Sequence, residues 1–195
     1  MKFGISEEGR IIEDQVLRFL NEKIIPAEKQ VIKEEHDVND GRDTPTMKRL
    51  RAEAKALSLW NLYLPDKKWG AGLSNHDYSI LCEQMGRSSI ASRVFNCNAP
   101  DTGNAEILAE FGSEVQKAEY LRPLLEGSIR SCFSMTEPDS SGSDPTGLLT
   151  TAVRDGDEWV INGHKWFTSG AVGAKFAIVM IVTNPQGSGY ERASM

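Results

Sequence analysis

The chain has 195 residues, of which 39% are hydrophobic and 26% charged, and its net charge is −6. That length suits one large domain or two small ones, burying roughly 70% of the unfolded surface, so neither a metal nor a disulfide is needed to hold the fold. Without a cationic run, or an apolar stretch near the ~20 residues of a membrane span, the sequence argues against nucleic-acid binding and membrane crossing.

Met1–Glu8 lacks an apolar secretory core and is too acidic for a transit peptide. From Ile11 to Ile25 the apolar residues Ile12, Val16, Phe19, Leu20 and Ile24 recur at helical spacing. Pro26 kinks or restarts that helix, which continues to Glu35 with a charged face. The polar segment 36–43 reads as a loop. Pro45 suits the first position of the next helix, with Met47, Leu50, Ala54 and Leu57 as its stripe. Trp60–Pro65 is apolar but too short and proline-stopped for a helix. Ser74 or Asn75 caps a helix to about Arg87 that buries Tyr78, Leu81, Cys82 and Met85. A further helix is predicted from Ala91 to Phe111, disturbed near Pro100 and Gly103 and ended by Gly112. Ser113 and Gln116 form a capping box for one more helix, which stops near Pro123. The three widely spaced cysteines, Cys82, Cys97 and Cys132, read as small buried apolar residues and fit a reducing cytoplasm.

The pattern changes at about Ile129. Arg130–Thr136 reads as a strand. Leu148–Arg154 is rich in β-branched residues, and Asp155-Gly156 turns it into Glu158–Ile161. Asn162-Gly163 is a second hairpin signal, leading to a strand over Lys165–Thr168. Phe176–Thr183 is a continuous apolar run, consistent with a buried strand. Residues 187–189 form a Gly/Ser loop, and Ala193–Met195 resembles the opening of another strand. The fold class expected is α+β: an all-α domain over residues 1–129, then an antiparallel β-barrel or sandwich over 130–195. About five strands leave an unpaired edge, so that sheet domain looks cut short.

Three stretches carry the chemistry. Cys132–Asp144, CFSMTEPDSSGSD, runs from a strand into a Pro-broken, Ser/Gly-rich loop. Such a loop offers backbone N–H groups and hydroxyls to a flat, polar, partly anionic ligand. Asn162–Gly170, NGHKWFTSG, places an aromatic pair and a threonine about thirty residues downstream. Phe95–Lys117 contains NCNAPDTGN and GSEVQK, followed by LRPLLEGSIRS over 121–131. Elsewhere the signals are weak. His36, His76 and His164 share no metal-ligand spacing, and no Cys-x-x-Cys, G-x-G-x-x-G, Walker loop or G-x-S-x-G is present. No metal site is therefore assigned.

These stretches, in this order over residues 5–195, resemble the acyl-CoA dehydrogenase family, and the NxAPDTGN wording resembles its subgroup containing family members 10 and 11. The resemblance implies FAD as cofactor. It implies Phe133, Met135, Thr136, Gly142, Ser143, Trp166, Phe167 and Thr168 as cofactor-binding residues. The hairpin is one residue shorter than the family wording, so Phe167 and Ser169 can take the roles given to Trp166 and Thr168. Ser143, Asn98, Asp101 and Thr102 are implied at the substrate. Asp101 and Thr102 are also ordinary residues for a first helical turn. The implied reaction is α,β-dehydrogenation of an acyl-CoA, with an electron-transfer flavoprotein accepting the electrons and a homodimer or homotetramer as the assembly. The family's base lies in a C-terminal four-helix domain absent from this sequence, so no catalytic residue is assigned here, these residues alone are expected to be inactive, and Glu137 reads as loop scaffold. Two alternatives keep the fold: a non-catalytic binding or assembly module, and a flavoprotein oxidase or monooxygenase.

Overall fold

A computed structural model describes residues 4–38 and 40–195, and Tyr190 through its backbone alone. The first three residues of the segment read as lacking a secretory core, and Asn39 of the 36–43 loop, lie outside the described residues. The chain divides into a helical unit ending at Ile129 and a β unit starting at Arg130.

In the helical unit α1 (Glu7–Phe19) is capped by Ser6, whose hydroxyl accepts from the Gly9 N–H at 2.9 Å. The Asp77 carboxylate takes the Ser6 N–H at 2.8 Å, the Ser6 hydroxyl at 3.0 Å and the Ser74 hydroxyl at 2.8 Å. Ser74 in turn caps α4 (Asn75–Met85), so one carboxylate fixes the starts of both helices. A five-residue π turn, Leu20–Ile24, joins α1 to α2 (Ile25–Val38). Pro26 therefore does not break the helix. It lacks an N–H and its ring crowds the preceding turn, and the wider π turn just upstream absorbs that mismatch. The same arrangement recurs where the π turn Lys117–Leu121 precedes Pro123 at the start of α8 (Arg122–Glu126).

Helix α3 (Pro45–Ala56) starts at Pro45 under a Thr44 cap. Its residues Met47, Leu50 and Ala54 are fully buried with Val16, Leu20, Ile24, Val31, Leu81 and Phe95. Leu57, expected in that stripe, is 54% exposed because α3 ends one residue before it. The helix expected over 91–111 is two, α5 (Ala91–Val94) and α6 (Asp101–Phe111). Asn96 between them adopts φ 54, which no helix can continue through. Ser113 does form the capping box, with Gln116, at α7 (Glu114–Gln116). Cys97 and Cys132 are buried, but Cys82 is exposed, because α4 turns Asp77, Leu81 and Met85 inward.

Arg51 is the polar hub of this unit. Its Nε lies 3.1 Å from Asp43, Nη1 donates to the Arg93 carbonyl at 2.6 Å, and Nη2 donates to Asn96 Oδ1 at 3.2 Å. The guanidinium also sits 4.9 Å over the Trp60 ring. Gly127, at φ 72, closes α8, and a Cβ there would stand 2.5 Å from Arg51 Nη2 and 2.7 Å from Trp60 Cζ2.

The β unit contains two small sheets among the described residues. In one, β1 (Ser131–Ser134) pairs with β4 (Phe176–Val179). The other has the order β3-β2-β5-β6, with β2 (Thr151–Asp155), β3 (Glu158–Asn162), β5 (Ile181–Val182) and β6 (Ala193–Ser194). The Asp155-Gly156 hairpin forms, with Val153 opposite Val160. The barrel is not closed, and two of the four pairings, β1–β4 and β2–β5, are parallel rather than antiparallel. The reason is the apolar run 176–183, which serves both sheets. Met180 N–H bonds the Ser134 carbonyl at 3.0 Å, and Val182 N–H bonds the Thr150 carbonyl at 2.8 Å.

The second expected hairpin does not form. Residues 165–168 are not a strand paired with β3; they leave β3 and run alongside residues 134–137. Gly163 permits this exit, since a Cβ there would overlap the Thr150 side chain. No helix among the described residues is long and apolar enough to cross a membrane.

Replacing Arg51 with Met is expected to lower stability by about 3 kcal/mol, because Asp43, the Arg93 carbonyl and the buried Asn96 lose a charged partner. Thermal unfolding checks this; an unchanged midpoint would show that the hub is not stabilising.

Candidate functional site

The strand β1 delivers residues 131–134 and then opens into the loop 135–150. What closes the loop is Glu137, which is 3% exposed. Its Oε2 accepts the Leu149 N–H at 2.6 Å and, weakly, the Ser140 hydroxyl at 3.4 Å. Its Oε1 accepts the Thr150 N–H at 2.9 Å and Lys165 Nζ at 2.8 Å. Burial alone would raise the Glu137 pKa. The Lys165 and Thr150 side chains and the Leu149 and Thr150 amides outweigh that, bringing it from an ordinary 4.5 to about 2. The Thr150 hydroxyl stands near this carboxylate without a well-formed hydrogen bond. Glu137 is thus a saturated scaffold carboxylate with no free lone pair suited to proton abstraction.

Lys165 also donates to the Met135 carbonyl at 2.8 Å, so it grips both the loop and its anchor. One residue on, the Trp166 N–H bonds the Thr136 carbonyl at 3.1 Å. Two residues further, Thr168 Oγ1 lies 3.0 Å from Ser134 Oγ. The segments 134–137 and 165–168, about thirty residues apart in the chain, therefore lie side by side with Trp166 next to Thr136 and Thr168 next to Ser134. Of the residues among which the short hairpin divides the roles, Trp166 and Thr168 make the bonds to the first segment. Phe167 adopts φ 50, is 78% exposed, and puts its ring 4.6 Å from the Trp166 ring centre.

Phe133 and Met135 flank this pairing and are half-buried; Phe133 sits opposite Ile178 in β1–β4. Gly142 folds back on Thr136, where an added Cβ would stand 3.0 Å from Thr136 Cγ2. Ser143 is exposed one residue later. The Asp144 side chain holds the Thr146 N–H at 2.9 Å and its hydroxyl at 2.6 Å, ending the loop's free stretch. A cavity of about 260 Å³ lies behind the loop, lined by residues including Glu137, Asp139, Thr150 and His164.

Asn98, Asp101 and Thr102 lie in the helical unit. The Asn98 amide is engaged at both ends, accepting from the Ser92 hydroxyl at 3.2 Å and donating to the Ala99 carbonyl at 2.5 Å. Asp101 is buried in the first turn of α6, and the Thr102 N–H bonds the Asn98 carbonyl at 3.2 Å. These three share one turn.

Sequence reasoning missed Ser134 and Lys165. A serine inside a strand carries no motif signal. The signal available for Lys165 was a lone cation within three residues of Trp166 and Thr168.

The Glu137 pKa is depressed, so its stabilisation is complete above about pH 4.5 and is lost as pH falls towards about 2. Unfolding experiments over that window are expected to show a steeper loss for the parent than for Glu137→Gln. At neutral pH the variant is expected to be less stable by about 2–4 kcal/mol, since Lys165 keeps a buried charge without its counterion. Parallel pH profiles for the two proteins would contradict this.

Residues 6–128 match the family description "Acyl-CoA dehydrogenase, N-terminal domain", and residues 132–195 match "Acyl-CoA dehydrogenase, middle domain". Acyl-CoA dehydrogenase family member 10 of Mus musculus is 43% identical over 199 residues, covering 98% of this chain and 19% of its own length. The solved structure of a putative acyl-CoA dehydrogenase from Mycobacterium abscessus superposes with a TM-score of 0.90 at 44% identity, covering 98% of this chain and 50% of that one. A glutaryl-CoA dehydrogenase from Mycobacterium smegmatis, solved in complex with FADH2, superposes with a TM-score of 0.70 at 27% identity, covering 92% of this chain and 44% of that one. The chain thus spans half or less of the length of each. On the match of both domain descriptions, together over most of its length, the chain belongs to the acyl-CoA dehydrogenase family.

Proposed function

We propose that this chain supplies the FAD-holding half of an enzyme that introduces a double bond between the α and β carbons of an acyl-CoA thioester. The carrying observation is the pairing of 134–137 with 165–168, which gathers two threonines and an exposed tryptophan from segments far apart in sequence. The residues fit the cofactor. Trp166, 42% exposed, offers a flat apolar wall, with Phe167 beside it. Thr136 and Thr168 offer hydroxyls to the polar edge of an isoalloxazine ring, and Phe133 and Met135 supply half-buried flanks. The bare Cα of Gly142 lets the loop fold against Thr136, leaving Ser143 exposed with a hydroxyl and an N–H suited to an anionic pyrophosphate.

When bound, FAD supplies a two-electron hydride acceptor. The residues of this chain orient the ring, donate hydrogen bonds to it and keep water from one side. None of them takes the α-proton in this reading: Glu137 is saturated by four donors. The base comes from residues outside this sequence. Ser143, Asn98, Asp101 and Thr102 are assigned to the acyl-CoA side, an electron-transfer flavoprotein to reoxidation, and a homo-oligomer to the assembly. The support for these last assignments is family membership alone.

Titration of the purified chain with FAD, followed by quenching of tryptophan fluorescence, is expected to saturate. Thr136→Ala and Thr168→Ala are each expected to weaken binding about five-fold, the loss of one neutral hydrogen bond of about 1 kcal/mol. No saturable quenching up to roughly 1 mM FAD would overturn the reading for this chain.

A further inference from the structure

We propose that Ser134 is a positioning residue: its hydroxyl donates to Thr168 Oγ1 and so leaves the Thr168 proton free to be donated to a ligand. This deepens the flavin reading above and rests on it for the identity of the ligand.

Ser134 ends β1 opposite Val179, with its carbonyl occupied by the Met180 N–H. It is 7% exposed, so water has little access to its side chain. Among the described residues, the contact with Thr168 at 3.0 Å is the one hydrogen bond its hydroxyl makes. A serine hydroxyl carries one proton and two acceptor sites. Were Thr168 the donor, the Ser134 proton would be buried without an acceptor, which is costly. Were Ser134 the donor, both groups would be satisfied, because Thr168 is half-exposed and can send its proton outward. The burial difference between the two partners therefore sets the direction.

The consequence concerns Thr168. A free threonine hydroxyl is ambivalent, donating or accepting as its surroundings ask. One lone pair taken by Ser134 polarises the Thr168 O–H bond and strengthens it as a donor. The same contact restricts χ1 of Thr168, which follows the left-handed backbone at Phe167. Thr168 then presents a directed donor next to Trp166. Against a flavin edge, such a donor withdraws electron density and favours hydride acceptance. Ser134 touches no ligand in this account and acts through Thr168 alone.

The test compares the chain with Ser134→Ala and Ser134→Cys. Two readouts are used: χ1 of Thr168 from NMR side-chain couplings without ligand, and FAD affinity with the visible spectrum of the bound form. Ser134→Ala is expected to average the Thr168 χ1, weaken FAD about five-fold and shift the long-wavelength flavin band, with Ser134→Cys intermediate. A fixed Thr168 χ1 in Ser134→Ala overturns the proposal whether or not FAD binds. Equal FAD affinity and spectrum in parent and Ser134→Ala also overturns it, while leaving the flavin reading intact. If the parent itself fails to bind FAD, the flavin reading fails for this chain, and the χ1 comparison alone decides the role of Ser134.

Discussion

The buried pairing of Glu137 with Lys165 is the constraint from which the rest of the site follows. A carboxylate that is 3% exposed is tolerable only when its oxygens are occupied, and here they meet two backbone N–H groups, an ammonium and, weakly, a serine hydroxyl. Those partners come from three places in the chain: the loop itself, the approach to β2, and the segment after β3. Satisfying one charge thereby fixes three segments at once. The Thr136–Trp166 backbone bond and the Ser134–Thr168 hydroxyl contact form in the register that this pair imposes.

The helical unit uses the same physics with the opposite sign. Arg51 is buried, and its fork spans Asp43, the Arg93 carbonyl and Asn96. Around it two asparagines, Asn61 and Asn96, sit in left-handed backbone at φ 52 and φ 54. Their amides bond each other at 2.7 Å, and both donate to carbonyls at the end of α8. A polar network of this kind specifies where non-helical chain must lie, which apolar packing alone does poorly. In each unit, then, one buried charge organises irregular backbone while regular elements bury the apolar residues.

Much of this was legible in the sequence because it rests on local rules. Helical spacing marked Val16, Phe19, Leu20 and Ile24, and capping chemistry marked Ser113 and narrowed the α4 cap to Ser74 or Asn75, of which Ser74 serves. The Asp155-Gly156 hairpin formed as its dipeptide predicts. What escaped was set by distant contacts. The Asn162-Gly163 dipeptide reads as a hairpin turn, yet the chain beyond it is captured by Met135 and Glu137 through Lys165. The apolar run 176–183 reads as one strand, but Met180 hands it from one sheet to the other. Pro26 reads as a kink or a restart of the helix, and the π turn just before it carries the chain into α2. Ser134 carried no pattern at all; its role depends on what lies across from it. Thr136, Trp166 and Thr168 stood out by resemblance, whereas their side-by-side placement rests on the Thr136–Trp166 and Ser134–Thr168 bonds, which no local pattern announces.

The central claim is that the segments around Thr136 and Thr168 face one ligand. It is tested most directly by recording amide NMR spectra of the chain as FAD is added. The account predicts that Met135, Thr136, Gly142, Ser143, Trp166 and Thr168 shift together along one binding curve. Shifts confined to one of the two segments, or spread over surfaces away from both, would contradict it.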